Sequence, residues 1–323
     1  MPDPHCPQGG VLLGVKACAI CGTDVKMVQQ GHRDLRYPRV LGHEIVAEVL
    51  EIDRDYGIAV GDRVQVWPGI ACSPCRPGLR GDDNRCLNMG ILGFNRDGGL
   101  AEMVALPKEC LPRGLNVLPP EADAGRITLA EPLACCLNGQ EQASVRKGDV
   151  VLILGGGPIG CLHALLAELL GAEKVIVAER LENRLRLMNE HTRAKAVLPE
   201  ALASTVAGET SGLGVDVILI AAPNLDVSSD LLKLLAPGGR LCLFSGPGSR
   251  VGPIDIRQMH YRELTIAGAY GCSSRDNRIA VELLASGAID ADWILTKRAT
   301  LENIQDALNH SSQRRGLKSI IEF

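Results

Sequence analysis

Aromatic side chains are scarce in this sequence, and it lacks both long apolar runs and an excess of basic charge. Phe, Trp and Tyr make up 3% of the 323 residues, so Leu, Val, Ile and Ala must supply most of the core. Apolar stretches such as "VVLILGGGPIG" are broken by glycine and are too short to span a bilayer. The formal net charge is −4, which gives no electrostatic reason to expect binding to nucleic acid or to an anionic membrane.

The N-terminal stretch "MPDPHCPQGG" also lacks the basic and apolar segments of a secretory signal. We therefore expect a cytoplasmic protein whose 12 cysteines stay reduced, and clustered cysteines then indicate metal binding. With 46% apolar and 22% charged residues, the composition is that of a globular protein. The length predicts two domains, and the 36 glycines indicate many tight turns.

The two halves of the chain have different hydrophobic patterns. The second half alternates helical patterns with short apolar runs, from "DVVLILG" at 149–155 to "LTIAGAY" at 264–270, which predicts a doubly wound α/β domain with a parallel sheet. In the first half, runs such as "EIVAEVLEI" are joined by Gly and Pro turns, with little helical periodicity before residue 131, which predicts a mainly β domain. We expect the last segment, "LKSIIEF", to return to the first domain as a strand.

A G-x-G-x-x-G pattern lies between a predicted strand and a predicted helix, in "LILGGGPIG". Gly155 permits the tight turn, Gly157 lets a pyrophosphate approach the backbone, and Gly160 lets the helix pack on the strand. The amides around Pro158 and Ile159 would then face the phosphates. The pattern predicts a dinucleotide site, and its plainer alternative is a glycine-rich turn without a ligand.

Glu179 follows at the end of the next predicted strand. Its carboxylate can accept hydrogen bonds from the adenosine ribose and would repel a 2′-phosphate, which favours NAD over NADP. Arg180 and Arg184 keep NADP open, because either could pair with such a phosphate. A solvated acid at a strand end is the plainer explanation of Glu179.

Possible metal ligands occur in two groups. Cys21 in "AICGTD" and His43 and Glu44 in "LGHE" are the ligand types of a catalytic zinc that keeps one position open. Glu131 in "LAEPLACC" is a further acid at a predicted helix start. Each residue alone could instead be a buried thiol, a core histidine or an acid that favours a helix N-terminus. The second group, in "CSPCRPGLRGDDNRC", contains Cys72, Cys75 and Cys86.

In the order and spacing of these motifs, nearly the whole chain resembles the zinc-dependent medium-chain dehydrogenases, which include alcohol, sorbitol and threonine dehydrogenases. The resemblance implies a GroES-like β domain at 1–131 and 272–323 and a Rossmann NAD-binding domain at 132–271. It also implies an NAD-dependent oxidoreductase, assembled as a homodimer or homotetramer, that oxidises a small-molecule alcohol with zinc as a Lewis acid.

The resemblance assigns roles to individual residues. Cys21 and His43 would bind the catalytic zinc with Glu131 as an acidic ligand, and Glu44 would be a nearby acid or an exchanging ligand. Asp24 would orient His43, and Thr23 would take the substrate's proton. The acidic ligand favours a polyol or sugar alcohol, phosphorylated or not, as the substrate. Threonine or another amino alcohol is the alternative.

Three features depart from the family pattern. Gly78 replaces one of four cysteines of the structural zinc, so Cys72, Cys75 and Cys86 form an incomplete second zinc site that Asp82, Asp83 or water would have to complete. Lys26 replaces a histidine that relays protons in many members. The chain also begins within the region where members have an initial pair of strands, so we expect a short N-terminus with an exposed sheet edge. These departures keep a non-catalytic nucleotide-binding relic as the alternative of another class.

A basic stretch, "KMVQQGHRDLRYPR", follows the first ligand motif. It could bind an acidic or phosphorylated substrate, and a solvated loop is the plainer reading. Its cationic or titratable members are Lys26, His32, Arg33, Arg36 and Arg39.

Overall fold

The structure, a computed structural model, describes residues 2–72, 75–223, 225, 227–246 and 254–323. The chain divides into two compact units, the first formed by Met1–Ala134 with Cys272–Phe323 and the second by Cys135–Gly271.

The helices and strands of the described ranges follow one another in three groups. The N-terminal group is β1 Val11–Ile20, α1 Gly22–Gln30, β2 Glu44–Ile52, β3 Arg63–Val66, β4 Gly69–Ile70, α2 Arg76–Leu79, β5 Gly90–Ile91, β6 Met103–Leu106, β7 Leu115–Val117, α3 Ala124–Ile127 and α4 Ala130–Gln142. The central group is β8 Val150–Leu154, α5 Pro158–Leu169, β9 Lys174–Ala178, α6 Glu182–His191, β10 Lys195–Val197, α7 Leu202–Glu209, β11 Val215–Ile220, α8 Ser229–Leu232, β12 Leu235–Leu243, α9 Ile256–Tyr261 and β13 Thr265–Gly268. The C-terminal group is α10 Ser274–Ala285, β14 Leu295–Ala299, α11 Ile304–Ser312 and β15 Lys318–Glu322.

The first unit is built on a seven-stranded sheet with the order β14-β15-β1-β2-β3-β7, in which β6 also pairs with β1. Branched aliphatic side chains from β1, β2 and β3 fill its core, and burying each of them stabilises the fold by roughly 1.5–3 kcal/mol. Strand β15 pairs antiparallel with β1, with Ile20 opposite Ser319. The predicted return of the C-terminal segment to the first domain is therefore confirmed.

Helix α1 lies in this mainly β unit, where the sequence pattern indicated little helical structure. The pattern did not reveal α1 because this helix buries only Asp24 and Met27, so it carries no apolar stripe of helical period. Strand β14 was also missed, because "LTKRA" alternates exposed polar residues with half-buried ones.

The second unit contains a six-stranded parallel sheet in the order β10-β9-β8-β11-β12-β13. This confirms the predicted doubly wound α/β fold. The order reverses between β8 and β11, and such a reversal places a ligand site at the carboxyl ends of the strands. The glycine-rich turn follows β8 at that end.

Helix α5 begins directly after that turn, because Gly157 is its N-cap and Pro158 occupies its first position. Its buried face packs on β8 and β9. Within the described ranges, every helix is too short or too polar to traverse a membrane.

Candidate functional site

The first ligand motif lies at the turn between β1 and α1. The amide of Cys21 donates a hydrogen bond of 2.8 Å to Asp24 Oδ2, and the amide of Gly42 donates one of 3.3 Å to Asp24 Oδ1. Asp24 is fully buried. Its carboxylate thereby connects the turn that carries Cys21 with the loop that carries His43.

Gly42 sets the path of the chain into the second motif. Its φ is +92°, a left-handed conformation that favours glycine, and a Cβ atom there would lie 2.7 Å from both Cys18 Sγ and Leu100 Cγ. The tight approach brings the loop against β1. It leaves His43 just before β2 and Glu44 as the first residue of that strand.

The imidazole of His43 is 5% exposed and has charged neighbours. Its Nδ1 atom lies 3.5 Å from Asp24 Oδ1, which leaves Nε2 as the nitrogen for a metal. Burial alone would lower the pKa of His43, but the charges of Asp24 and Cys21 raise that pKa well above its ordinary value. The ring of Phe94 packs on the imidazole with centroids 5.2 Å apart.

Cys21, His43 and Glu44 converge, with one potential ligand atom from each within 4.8 Å of the others. Glu44 is fully buried, and its Oε2 atom has no hydrogen-bond partner among the described residues. A buried carboxylate oxygen without a partner is costly unless a cation satisfies it. The thiol, imidazole and carboxylate therefore fit a zinc ion.

Lys318, which the sequence interpretation missed, supports the other carboxylate oxygen. Its Nζ lies 2.6 Å from Glu44 Oε1, and the side chain is 4% exposed. Burial would lower the pKa of Lys318, whereas the charges of Glu44, Cys21 and Glu131 raise it, so the lysine stays protonated. A lysine inside the apolar strand "LKSIIEF" was the available signal, since buried lysines are rare unless paired.

Glu131 does not belong to this trio. It lies in the first turn of α4, half-buried. One of its carboxylate oxygens is within 4.8 Å of Cys272 Sγ, a residue that the sequence interpretation did not single out. Its charge acts on Lys318, so Glu131 contributes to the electrostatics around the trio. Its role as a zinc ligand stays a prediction.

The remaining residues near the first motif have diverse positions. Thr23 is half-buried in the first turn of α1 and Lys26 is exposed on the same helix.

In the basic stretch, Arg36 Nη1 donates to the carbonyls of Arg33 and Leu35. Arg39 pairs with Asp97 at 2.8 Å, and His32 Nδ1 lies 3.6 Å from Asp34. Arg36, Arg39 and His32 thus all have partners within the protein. This favours a solvated loop over a substrate-binding role for that stretch.

The thiols of Cys72, Cys75 and Cys86 also lie within 4.8 Å of one another. Cys86 Sγ is 3.3 Å from Cys72 Sγ and accepts a hydrogen bond of 3.2 Å from the amide of Cys72. The amide of Gly78, which stands in place of a fourth cysteine, donates to the sulfur of Cys75 and lowers its pKa. The three thiols therefore lie together, and the amide of Gly78 contacts one of them, Cys75.

The two acids suggested as completing this second site lie elsewhere. Asp83 is 1% exposed and accepts hydrogen bonds from the amide and hydroxyl of Ser274 at 2.9 and 2.5 Å. Asp82 faces Arg85 at 3.5 Å. Because neither acid joins the thiol cluster, the described residues supply three ligands where a closed structural zinc site has four.

In the second unit, the glycine-rich turn has the geometry that the pattern predicted. Gly155 has a φ of +111°, and a Cβ at Gly160 would lie 1.8 Å from the carbonyl oxygen of Gly155, so only glycine fits there. Gly157 caps α5, and Pro158 and Ile159 form its first turn. The amides at this helix start suit a pyrophosphate.

Glu179 and Arg184 both lie against this turn. Glu179 is 9% exposed, and its Oε2 atom accepts a hydrogen bond of 2.8 Å from the amide of Gly156. Its Oε1 atom accepts from the amides of Arg180 and Leu181. Arg184 Nη1 lies 3.9 Å from Glu179 Oε2 and 3.3 Å from where a Cβ of Gly157 would be. The acid is therefore fixed beside the turn rather than solvated.

Comparison with known protein families finds a match in each of the two units. The alcohol dehydrogenase GroES-like domain family matches residues 7–114, and the zinc-binding dehydrogenase family matches residues 158–286. The chain belongs to the zinc-dependent medium-chain dehydrogenases. The expected resemblance and the GroES-like and Rossmann fold class are thus confirmed, and the chain is an oxidoreductase of this zinc-binding family.

Individual dehydrogenases of this family are similar over almost the whole chain. A protein named "Probable D-xylulose reductase A" from Aspergillus clavatus is 30% identical over 99% of this chain and 90% of its own. L-galactonate-5-dehydrogenase of Escherichia coli is 29% identical over 97% and 91%. The crystal structure of a protein described as a zinc-binding dehydrogenase from Sinorhizobium meliloti, bound to NADP, superposes with a TM-score of 0.90 and 31% identity, covering 99% and 94% of the chains.

Proposed function

We propose that this dehydrogenase oxidises a secondary hydroxyl group of a polyol or sugar alcohol and that NAD accepts the hydride. The observation that carries the proposal is the buried trio of Cys21, His43 and Glu44, with one carboxylate oxygen left without a partner among the described residues. Zinc held there would supply the Lewis acidity that polarises a substrate hydroxyl.

The chain's own residues would hold the charges and the proton. Asp24 keeps the His43 ring oriented, with Nδ1 toward its carboxylate. Lys318 neutralises one oxygen of Glu44, so the trio is built with balanced charge rather than as a bare acid cluster. Thr23, half-buried two residues after Cys21, offers a hydroxyl that would receive the substrate's proton at Oγ1 while passing its own proton on toward solvent.

A sugar alcohol as substrate is supported by the relatives. The names of two of them specify D-xylulose and L-galactonate, both polyhydroxylated molecules. Glu131, half-buried and close enough to act electrostatically on Lys318, adds a carboxylate to the surroundings of Lys318 besides Glu44. Carboxylates accept hydrogen bonds from hydroxyl groups, so an acid-rich surrounding suits a substrate with several of them.

NAD rather than NADP is supported by the buried carboxylate of Glu179. Three backbone amides fix it beside the glycine-rich turn, where it would accept from ribose hydroxyls and repel a 2′-phosphate. The relative from Sinorhizobium meliloti contains NADP, so both cofactors belong in the test. We expect NAD to be preferred and E179Q to reduce the NAD-to-NADP ratio of kcat/KM by about tenfold or more.

The test is an assay of NAD and NADP reduction with xylitol, sorbitol, L-galactonate and L-threonine, together with NADH oxidation by D-xylulose. Turnover of a polyol or sugar acid that is at least about tenfold faster than of L-threonine supports the proposal. Faster turnover of L-threonine would replace it with the amino-alcohol alternative. NAD binding without zinc or turnover would identify the non-catalytic relic.

A further inference from the structure

A cleft of about 460 Å³ opens on the first unit, between the segment after α2 and the start of α10. Its volume lies within the range of about 300–1,000 Å³ that is usual for small-molecule sites. Four arginines line it, namely Arg80, Arg113, Arg275 and Arg278. The lining includes neither the trio around His43 nor the three clustered thiols.

A buried acid holds the two walls of this cleft together. Asp83, 1% exposed, accepts two hydrogen bonds from Ser274, the first residue of α10. Arg113 Nη1 lies 3.9 Å from the same carboxylate. The carboxylate of Asp83 thus connects the segment that precedes Cys86 to the start of α10. These hydrogen bonds fix the two sides of the cleft relative to each other.

The arginines outnumber the acids that could neutralise them. The only acids in the described lining are Asp82 and Asp83. Arg275 contacts Asp276 at 3.1 Å, but within the described parts of the chain the guanidinium groups of Arg80 and Arg278 have neither a carboxylate nor a hydrogen-bond partner. A concave surface with uncompensated positive charge concentrates anions.

The side chains that line the cleft indicate which class of anion would bind there. Guanidinium groups bind phosphate through paired hydrogen bonds, and the two without a carboxylate partner, Arg80 and Arg278, favour a molecule with more than one phosphate. Pro112 and Leu115 supply apolar surface, and the described lining contains no aromatic ring on which a nucleobase could stack. We propose that this cleft binds a small molecule that carries two phosphate groups, as a site separate from the dehydrogenase chemistry.

The test is calorimetric titration of fructose 1,6-bisphosphate into the full chain at low ionic strength, with NAD present in excess so that the glycine-rich turn is occupied. We expect saturable binding that weakens as salt is added. The variant R80A/R278A should bind about tenfold more weakly or worse, because two phosphate-binding groups are lost. The matched control R54A/R76A removes two exposed arginines outside the lining and should stay within about twofold of the parent.

Absence of saturable binding, or equal binding by R80A/R278A and the parent, would overturn the proposal. Equal weakening in R54A/R76A would also overturn it, since the effect would then reflect net charge alone. If R80A/R278A does not fold, R80K/R278K retains the charge but not the planar fork. That variant should still bind more weakly than the parent, and parent-like binding would contradict the assigned arginines.

Discussion

Two buried histidines, one in each unit, show how different the environments of the same side chain can be. His43 is 5% exposed and His163 is fully buried. His43 lies beside Asp24, and charged neighbours raise its pKa well above the ordinary value. His163 packs edge-on against Phe244 with centroids 4.7 Å apart, and burial lowers its pKa to about 3.

The comparison separates a histidine of the core from a candidate metal ligand. Burial alone makes an imidazole neutral and inert, as at His163, whose Nδ1 lies 3.3 Å from Gln140 Nε2. A carboxylate behind the ring and a thiol in front of it give His43 a fixed orientation and a direction for its second nitrogen. The plainer interpretation of His43 as a core histidine describes His163 instead.

Replacing each histidine by glutamine gives the largest expected difference between the two sites. We expect H43Q to reduce kcat/KM for the best alcohol substrate by at least about a thousandfold, since loss of metal-assisted polarisation removes several kcal/mol of transition-state stabilisation. H163Q should retain kcat/KM within about threefold, because it lies in the core. Steady-state kinetics check both. A similar loss in the two variants would mean that His43 acts only through stability.

Replacing Lys318 tests whether its charge stabilises the fold by pairing with the buried carboxylate of Glu44, next to His43. K318M leaves Glu44 buried without its partner, and we expect the free energy of unfolding to fall by about 3 kcal/mol. The control K16M removes an exposed pair between Lys16 and Glu48, 2.8 Å apart, and should change it by at most about 1 kcal/mol. Urea unfolding measures both. The double variant E44Q/K318M should recover part of the loss, and no recovery would argue against direct pairing.

Replacing Asp24 tests whether its carboxylate orients the imidazole of His43 for zinc binding. D24N keeps the shape but removes the charge 3.5 Å from His43 Nδ1, and we expect zinc affinity to fall about 10- to 100-fold. Competition with a chromophoric chelator measures that affinity. The control D34N, at the half-buried acid next to His32, should leave it unchanged. Unchanged affinity in D24N would remove Asp24 from the site.

Acid pH tests the other histidine. The pKa of His163 is lowered from 6.5 to about 3 in the folded chain, so below pH 6.5 the unfolded chain binds a proton that the folded chain does not. Stability is therefore lost as the pH falls, by about 1.4 kcal/mol per pH unit within this window. Between pH 7 and pH 5 the parent should lose about 2 kcal/mol more than H163Q in urea unfolding. Parallel losses would show that His163 does not titrate this way.

Sequence reasoning reached the parts of these sites that are encoded locally. Cys21 and Asp24 share one helix start, His43 and Glu44 are consecutive, and the glycines around Gly157 lie within one turn, so motif spacing was sufficient. Lys318 was missed because it meets Glu44 only through the pairing of β15 with β1, across 274 residues. Pairing at such separation leaves no local pattern.

The same limit explains why Asp83 was suggested as a ligand beside the three thiols, although the fold gives it another partner. Asp83 was suggested as a ligand because it lies near Cys86 in sequence. In the fold its carboxylate is taken by Ser274, which is 191 residues away. A carboxylate's neighbours in space, not in sequence, decide whether it is available for a metal.

The zinc content of two cysteine variants tests the central claim most directly. Because the trio around His43 fits zinc and the thiol cluster has only three described ligands, the purified parent and C86S should each contain about one zinc per chain, and C21S should contain almost none. Inductively coupled plasma mass spectrometry measures this after dialysis against a weak chelator. Zinc retained in C21S, or lost in C86S, would contradict the account.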